Sequence, residues 1–382
     1  MVPKGWITKA LELTGVKVID GDRGKEYPKA SDFSGDGYCL FLSAKNVTKY
    51  GFQFNELQFI DAEKDKKLRK GRVKRSNIVL TTRGSVGHFA YYDASVPYDV
   101  MRINSGMVIL DADESDLEPN FLYALCRSFI VQKQIEAASF GSAQPQLTVG
   151  IVKGLKLPIP TLVEQKKIAQ ILSTWDKAIS VTEKLLANSQ QQKKALMQQL
   201  LTGKKRLLDE NGVRFNGKWE KKLLSDVADV YQPKTISQSM MSDSGYPVYG
   251  ANGVIGFYQE FNHETEQIAV TCRGSTCGIV NWTQAKSWIT GNAMVINTDN
   301  YSYVSKKFLF YTLNGSDLKY LISGSGQPQI TGNIKTHIIN LPCIEEQQKI
   351  ATVLSAADAE IYTLEKKLAC LRDEKKALMQ QL

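Results

Sequence analysis

The sequence predicts an α/β protein made of two related halves. Each half is a mixed α/β globular part followed by a long helix, and the two helices pair as an antiparallel coiled coil. Three observations predict this: a gapless internal repeat, a heptad seam in both copies, and matching short strand-like runs upstream of each.

The repeat comes first, because missing it would mislead every later step. Residues 164–200 align with 346–382 at a constant offset of 182, and 21 of the 37 positions are identical. The first copy reads EQKKIAQILSTWDKAISVTEKLLANSQQQKKALMQQL and the second EQQKIATVLSAADAEIYTLEKKLACLRDEKKALMQQL. Weaker matches lie upstream. GSAQPQLT (Gly141–Thr148) matches GSGQPQIT (Gly324–Thr331), and Leu157-Pro158 matches Leu341-Pro342. TTRGSVG (Thr81–Gly87) resembles TCRGSTCG (Thr271–Gly278), and SGMVI (Ser105–Ile109) resembles NAMVI (Asn292–Ile296). Trp6 and Trp219 each precede a leucine five positions on, Leu11 and Leu224. A period near 180 residues is domain-sized, so this is duplication and not a solenoid.

The constant segments read as helices. In the second copy Ile350, Leu354, Ala357, Ile361, Leu364, Leu368, Leu371, Leu378 and Leu382 recur at alternating spacings of four and three, with Lys375 the one polar intruder. The first copy places Ile168, Leu172, Trp175, Ile179, Thr182, Leu186, Ser189, Lys193, Leu196 and Leu200 at the equivalent positions. A seam sustained over five heptads without Gly or Pro argues a coiled coil. Each helix follows a proline, Pro160 or Pro342, with glutamate in its first turn, and the first stops at Gly203. At 1.5 Å per residue each spans roughly 55–60 Å. Pairing of equivalent halves about a two-fold favours the antiparallel arrangement.

The expected division is 1–160 and 208–344 for the globular parts, with 161–207 and 345–382 for the helices. Strand-like runs are Cys39–Ala44, Asn77–Gly84, Gly106–Ala112, Gln267–Gly274 and Ala293–Thr298. A helical stretch follows the last strand of each part, Glu118–Ile135 and Ser305–Leu321.

Composition narrows the class. A hydrophobic share of 43% with 23% charged residues is ordinary for a globular chain and excludes disorder and collagen. No apolar run is long enough to cross a membrane and the first residues lack a signal-peptide pattern, so a cytoplasmic location is expected. Six cysteines without framework spacing fit a reducing compartment. The pair Cys272-x4-Cys277 has no second Cys/His pair beside it, so no zinc site is expected. The net charge of +9 is uneven. Residues 1–160 hold 22 basic against 18 acidic residues, 161–207 hold 9 against 3, 208–344 hold 11 against 11, and 345–382 hold 6 against 7.

No catalytic inventory emerges. There is no P-loop, none of the three histidines sits in a metalloprotease pattern, and no acidic cluster reads as a nuclease site. Phe33-Ser-Gly-Asp-Gly37 resembles a methyl-donor loop, but the chain has no Pro-Pro-aromatic motif to grip a flipped base, so the segment is read as a turn. What remains suits nucleic acid. The run Lys64–Arg75 has eight basic residues and one acid in twelve, with Lys66, Lys67, Arg69, Lys70, Arg72, Lys74 and Arg75 as candidate phosphate contacts. Arg83 with Ser85, and Arg273 with Ser275, place an arginine and a hydroxyl in a tight turn at a strand end. Gln144 with Gln146, and Gln327 with Gln329, carry paired amides; Tyr249 and Asn252 sit on a Gly-rich loop. Each motif has a bland alternative, a solvated loop or a rigid turn.

The layout GSxQPQ(L/I)T, then LP, then EQxKIA through KKALMQQL, present twice, resembles the specificity subunits of type I restriction-modification systems over nearly the whole chain. The resemblance implies two target recognition domains, each reading half of a bipartite, asymmetric site in double-stranded DNA. It implies that the coiled coil sets the half-site spacing and docks two methyltransferase (modification) subunits, which restriction (translocase-nuclease) subunits can join. It implies no catalysis and no cofactor in this chain, with S-adenosylmethionine, ATP and Mg2+ in the partners. One departure is that the first helix continues into Leu201–Arg206 whereas the second copy stops at Leu382. Two alternatives stay open: the recognition part of another bipartite restriction-methylation enzyme, and a coiled-coil scaffold without DNA contact.

Overall fold

The computed structural model describes residues 4–139, 146–250, 253–324 and 328–381. The chain divides into two compact units, Met1–Thr182 with Lys367–Leu382, and Glu183–Lys366. The division falls within both long helices.

In the first unit an antiparallel sheet runs in the order Lys17–Asp20, Met107–Asp111, Ile78–Thr81, Phe89–Tyr91. A second sheet has the order Phe59–Ile60, Cys39–Leu42, Met101–Ile103, Arg72–Val73, its central pair parallel. The run Ile78-Val79-Leu80 is apolar throughout because both of its faces are covered. Ile78 and Leu80 join the cluster under the helices Pro119–Cys126 and Phe129–Ser139. Val79 and Ile109 point the other way, into the cluster containing Leu40, Leu42, Met101 and Ile103 of the second sheet.

The second unit repeats this plan. Its antiparallel sheet has the order Asp229–Tyr231, Ala293–Asn297, Ile268–Thr271, Val280–Trp282. A three-stranded sheet runs Gly253–Tyr258, Tyr246–Gly250, Trp288–Ile289, the last pair parallel. Ile268 and Val270 face the helix Lys306–Asn314, and Ala269 faces Tyr249 and Ile289.

Each stretch expected as one helix is interrupted. The first breaks at Arg127-Ser128, where the Gln132 side chain caps the Cys126 carbonyl at 3.0 Å. The second ends at Asn314, with Gly315 as its cap, and resumes as a single turn at Lys319–Leu321. The ladders also correct one upstream match. Thr81 lies opposite Met107, and Thr271 opposite Ala293, so Gly106 and not Ser105 corresponds to Asn292.

The long helices are Leu162–Leu200 and Ile344–Gln380. Among described residues, every seam position named above is buried or half-buried. In the second unit Ser189 donates to Glu360 at 2.8 Å and Lys193 pairs with Asp358, so numbers rise on one helix as they fall on the other. In the first unit Asp176 pairs with Lys375. These aspartates and these lysines are repeat equivalents. Lys375 is 7% exposed, and its burial lowers its pKa against the pull of Asp176. Polar groups at seam positions specify register, because a shifted pairing would leave them unpartnered in apolar surroundings.

The duplicated Glu-Gln pair marks the joint between globular part and helix. Gln165 is buried; its carbonyl accepts from the Glu118 amide at 2.9 Å, and its amide donates to the Asp116 and Pro160 carbonyls at 3.2 and 3.1 Å. Gln347 does the same with the Ser305 amide at 2.8 Å and the Tyr303 and Pro342 carbonyls at 3.1 and 2.8 Å. In the second unit Arg206 grips Glu346 through Nε and Nη2, both at 2.6 Å, and Trp219 Nε1 donates to the same carboxylate at 3.2 Å.

Candidate nucleic-acid interface

The two motifs that the sequence presents far apart meet in each unit. In the first, the strand Ile78–Thr81 runs out into Arg83, and Gly84 turns the chain at φ 74°, a left-handed conformation that glycine adopts without strain. The amides of Thr82 and Arg83 both bond the Gly106 carbonyl, at 2.8 and 3.2 Å, and the Leu147 amide bonds the Thr82 carbonyl at 3.0 Å. Arg83 forms an antiparallel bridge with Gln146. With its amide oxygen turned to the guanidinium, Gln146 accepts from Arg83 Nε at 3.2 Å and Nη2 at 3.0 Å.

The second unit builds the same bracket. Arg273 bridges Gln329, Gly274 turns at φ 86°, and the Gly274 amide bonds the Pro328 carbonyl at 3.0 Å. The Cys272 amide bonds the Asn292 carbonyl and the Ile330 amide the Cys272 carbonyl, both at 3.0 Å. Arg83, Ser85 and Gln146 are exposed, as are Arg273, Ser275 and Gln329. The bracket holds the backbone at each arginine while both arginine side chains stay exposed, that of Arg83 resting on Gln146. Gln144, Asn252 and Gln327 lie outside the described residues.

The basic run is built and not loose. Its one acid, Asp65, is buried against Arg102 Nε at 2.5 Å. The Arg102 Nη atoms also donate to the carbonyls of Asp65, Leu68 and Lys70, at 2.8, 3.2 and 2.9 Å. The seven candidate cations are all exposed, but three are already engaged. Arg69 faces Asp22 at 3.7 Å, Arg72 faces Asp65 at 3.4 Å, and Arg75 pairs with Asp99 at 2.9 Å while lying over the Tyr92 ring. Lys66 and Lys67 end the short helix Ala62–Lys67, and with Lys70 and Lys74 they have no ion pair among the described residues.

Tyr249 is placed differently from the expectation. It is 7% exposed, packs with Ala269, Ile289 and Val295, and its hydroxyl accepts from the Gln284 amide at 3.1 Å. It is a core residue, because its strand is covered on the face to which the ring points. Cys272 is buried and Cys277 packs on the same apolar cluster, and burial pushes both thiols up. The Phe33–Gly37 segment follows a single 3-10 turn, with Phe33 packed on Phe41. No helix among the described residues is long and apolar enough to cross a membrane.

Sequence reasoning missed Arg23. It sits in the turn Asp20-Gly-Asp-Arg-Gly24, where its guanidinium reaches the Ser105 carbonyl at 3.2 Å, next to the Gly106 carbonyl that holds Arg83. The density of charge and glycine in that turn was the available signal.

Comparisons with known proteins agree with this architecture. A putative type I restriction enzyme specificity subunit, MjaX, of Methanocaldococcus jannaschii is 25% identical over 380 residues, covering 88% of this chain and 84% of the relative. The crystal structure of the type-I restriction-modification system S subunit from M. genitalium superposes with a TM-score of 0.68 at 16% identity, covering 99% of this chain and 96% of that one. A chain from a structure of complex assembly and conformational transition of the type I R-M system superposes with a TM-score of 0.56 at 17% identity, covering 100% and 98%. These two likenesses show the fold. The description "Type I restriction modification DNA specificity domain" matches residues 4–188 and 216–370, most of the chain in two copies, and the chain belongs to that family.

Proposed function

We propose that this chain is the non-catalytic, sequence-reading subunit of a type I restriction-modification complex, and that each unit reads one half of a bipartite site in double-stranded DNA. The observation that carries the reading is the repeated bracket. The same exposed arginine, glycine turn and glutamine occupy the same ladder position in two units whose surrounding sequences differ. A protein that needed these residues only for packing would have no reason to leave them in solvent twice. An arginine whose backbone is fixed at a strand end suits bidentate contact with guanine or with a phosphate. The lysines of the 64–75 segment suit sequence-independent phosphate contact.

Because the two globular parts differ, the target is asymmetric. The paired helices carry the docking surface for two methyltransferase subunits, which restriction subunits can join. The methyl donor S-adenosylmethionine, ATP and Mg2+ are bound by those partners. The test is to exchange residues 208–344 for the equivalent part of another family member and to map methylated adenines across a genome. One half-site changes and the other is retained if the reading is right. A change in both halves, with the exchanged protein folded and active, would sink it.

A further inference from the structure

We infer that Arg23 is a further DNA-contacting cation of the first unit and that Asp22 is its positioning residue. The inference rests on the DNA-reading proposal above.

The turn after the strand Lys17–Asp20 lies directly on the loop that holds the bracket. A Cβ at Gly21 would stand 2.2 Å from the Asn104 carbonyl oxygen, so only glycine allows this approach. Arg23 Nη2 donates to the Ser105 carbonyl and to Asp20, each at 3.2 Å, and the side chain is 48% exposed. Arg23 and Arg83 are therefore anchored on consecutive residues, Ser105 and Gly106. Asp22 does a different task. Its side chain is 5% exposed and accepts from the amides of Gly24 and Arg69, both at 2.8 Å. The Gly24 N–H and then the Arg69 backbone and guanidinium hold its pKa below the usual carboxylate value, although burial opposes them. This carboxylate fastens the Arg23 turn to the start of the Arg69-Lys70 segment, and so gathers Arg23, Arg69, Lys70 and Arg83 around one edge.

The second unit lacks the device. Asp20 lies opposite Val108 and Tyr231 opposite Val295, and with the strand equivalences above this register aligns Pro233, Lys234 and Thr235 with Gly21, Asp22 and Arg23. Consistent with that alignment, a Cβ at Gly291, the counterpart of Ser105, would lie 2.5 Å from Thr235 Oγ1. There the Gly291 carbonyl, counterpart of the Ser105 carbonyl, accepts from the neutral Gln232 amide, and the cation of the turn is Lys234, aligned with Asp22.

The experiment measures anisotropy of the full-length chain with a fluorescein-labelled mixed-sequence DNA duplex between about 50 and 200 mM KCl. Arg23→Ala should flatten the slope of log K against log salt by about 0.9 and weaken binding several-fold at the lowest salt. Arg23→Lys should keep the slope, and Thr235→Ala should leave both slope and affinity unchanged. Asp22→Asn removes a negative charge, so charge counting alone predicts tighter binding; positioning predicts weaker binding and a flatter slope. Thermal midpoints check folding, and if Asp22→Asn unfolds, the Arg23→Ala and Arg23→Lys pair decides. A wild-type slope in Arg23→Ala overturns this inference alone. If the wild-type chain, with and without its methyltransferase partner, binds no duplex, the DNA-reading proposal itself fails.

Discussion

Replacing Arg206 by alanine tests how the second unit holds the start of its long helix. The substitution strips both 2.6 Å contacts from Glu346, whose side chain is 1% exposed, and leaves only the Trp219 Nε1 contact at 3.2 Å. Breaking a buried pair from one side costs about 3–5 kcal/mol, because the remaining charge stays desolvated. Arg206 itself is 20% exposed, so water can enter the space it leaves and the lower end of that range applies. About 3 kcal/mol corresponds to a fall of about 6–12 °C in Tm for a unit of this size. Calorimetry measures the loss. The double variant Arg206→Met with Glu346→Leu should recover most of the loss, since apolar replacement of a buried pair is often neutral or stabilising. A single-variant loss under about 1 kcal/mol would refute the reasoning and show that Glu346 is solvated.

Other outcomes follow from the same structure. Arg273→Ala should relax or weaken recognition of one half-site and Arg83→Ala of the other, read by methylation mapping; an equal effect on both halves from either change would assign a general role instead. Adding one heptad to both long helices at repeat-equivalent positions should change the spacer and leave the half-site sequences intact, and an unchanged spacer in the same assay would count against helix length as its determinant. Burial lowers the pKa of His263 and His337 below 6.5. The unfolded chain therefore takes up protons first, and stability should be full above about pH 6.5 and decline as pH drops below it. Thermal melts across that range should show the decline, lessened in His337→Gln; a pH-independent midpoint would exclude it.

The elements legible in the sequence were those governed by local period or by repetition. The heptad seam, with Lys375 the single polar intruder of its second copy, depends only on spacing, and the described seam positions are covered as that spacing requires. The short strands were legible because residues such as Ile78 to Leu80 are buried on both faces and so form continuous apolar runs. Long-range pairing was not legible. The run 64–75 shows eight cations in sequence, but Asp22 and Asp99, which engage two of its arginines, come from distant segments. Arg23 gains meaning only through its contact with Ser105, 82 residues away. Tyr249 looked like a loop tip because its neighbours are glycines, yet the parallel pairing with Trp288–Ile289 turns it inward. The break at Arg127-Ser128 carries no Gly or Pro, and the helix period continues through it.

The buried glutamines at the two joints have a consequence for interchangeability. Gln165 and Gln347 fasten each globular part by main-chain N–H and C=O groups, at Glu118 and Asp116 in one case and Ser305 and Tyr303 in the other. Main-chain groups are supplied by any amino acid, so the glutamine contact itself makes no demand on side chains, whereas the neighbouring Glu346 of the second unit also needs Arg206 and Trp219. Two parts with dissimilar surfaces are seated by one invariant amide. A different globular part can therefore use the same glutamine contact, provided that in the second unit it also supplies a partner for Glu346 in place of Trp219.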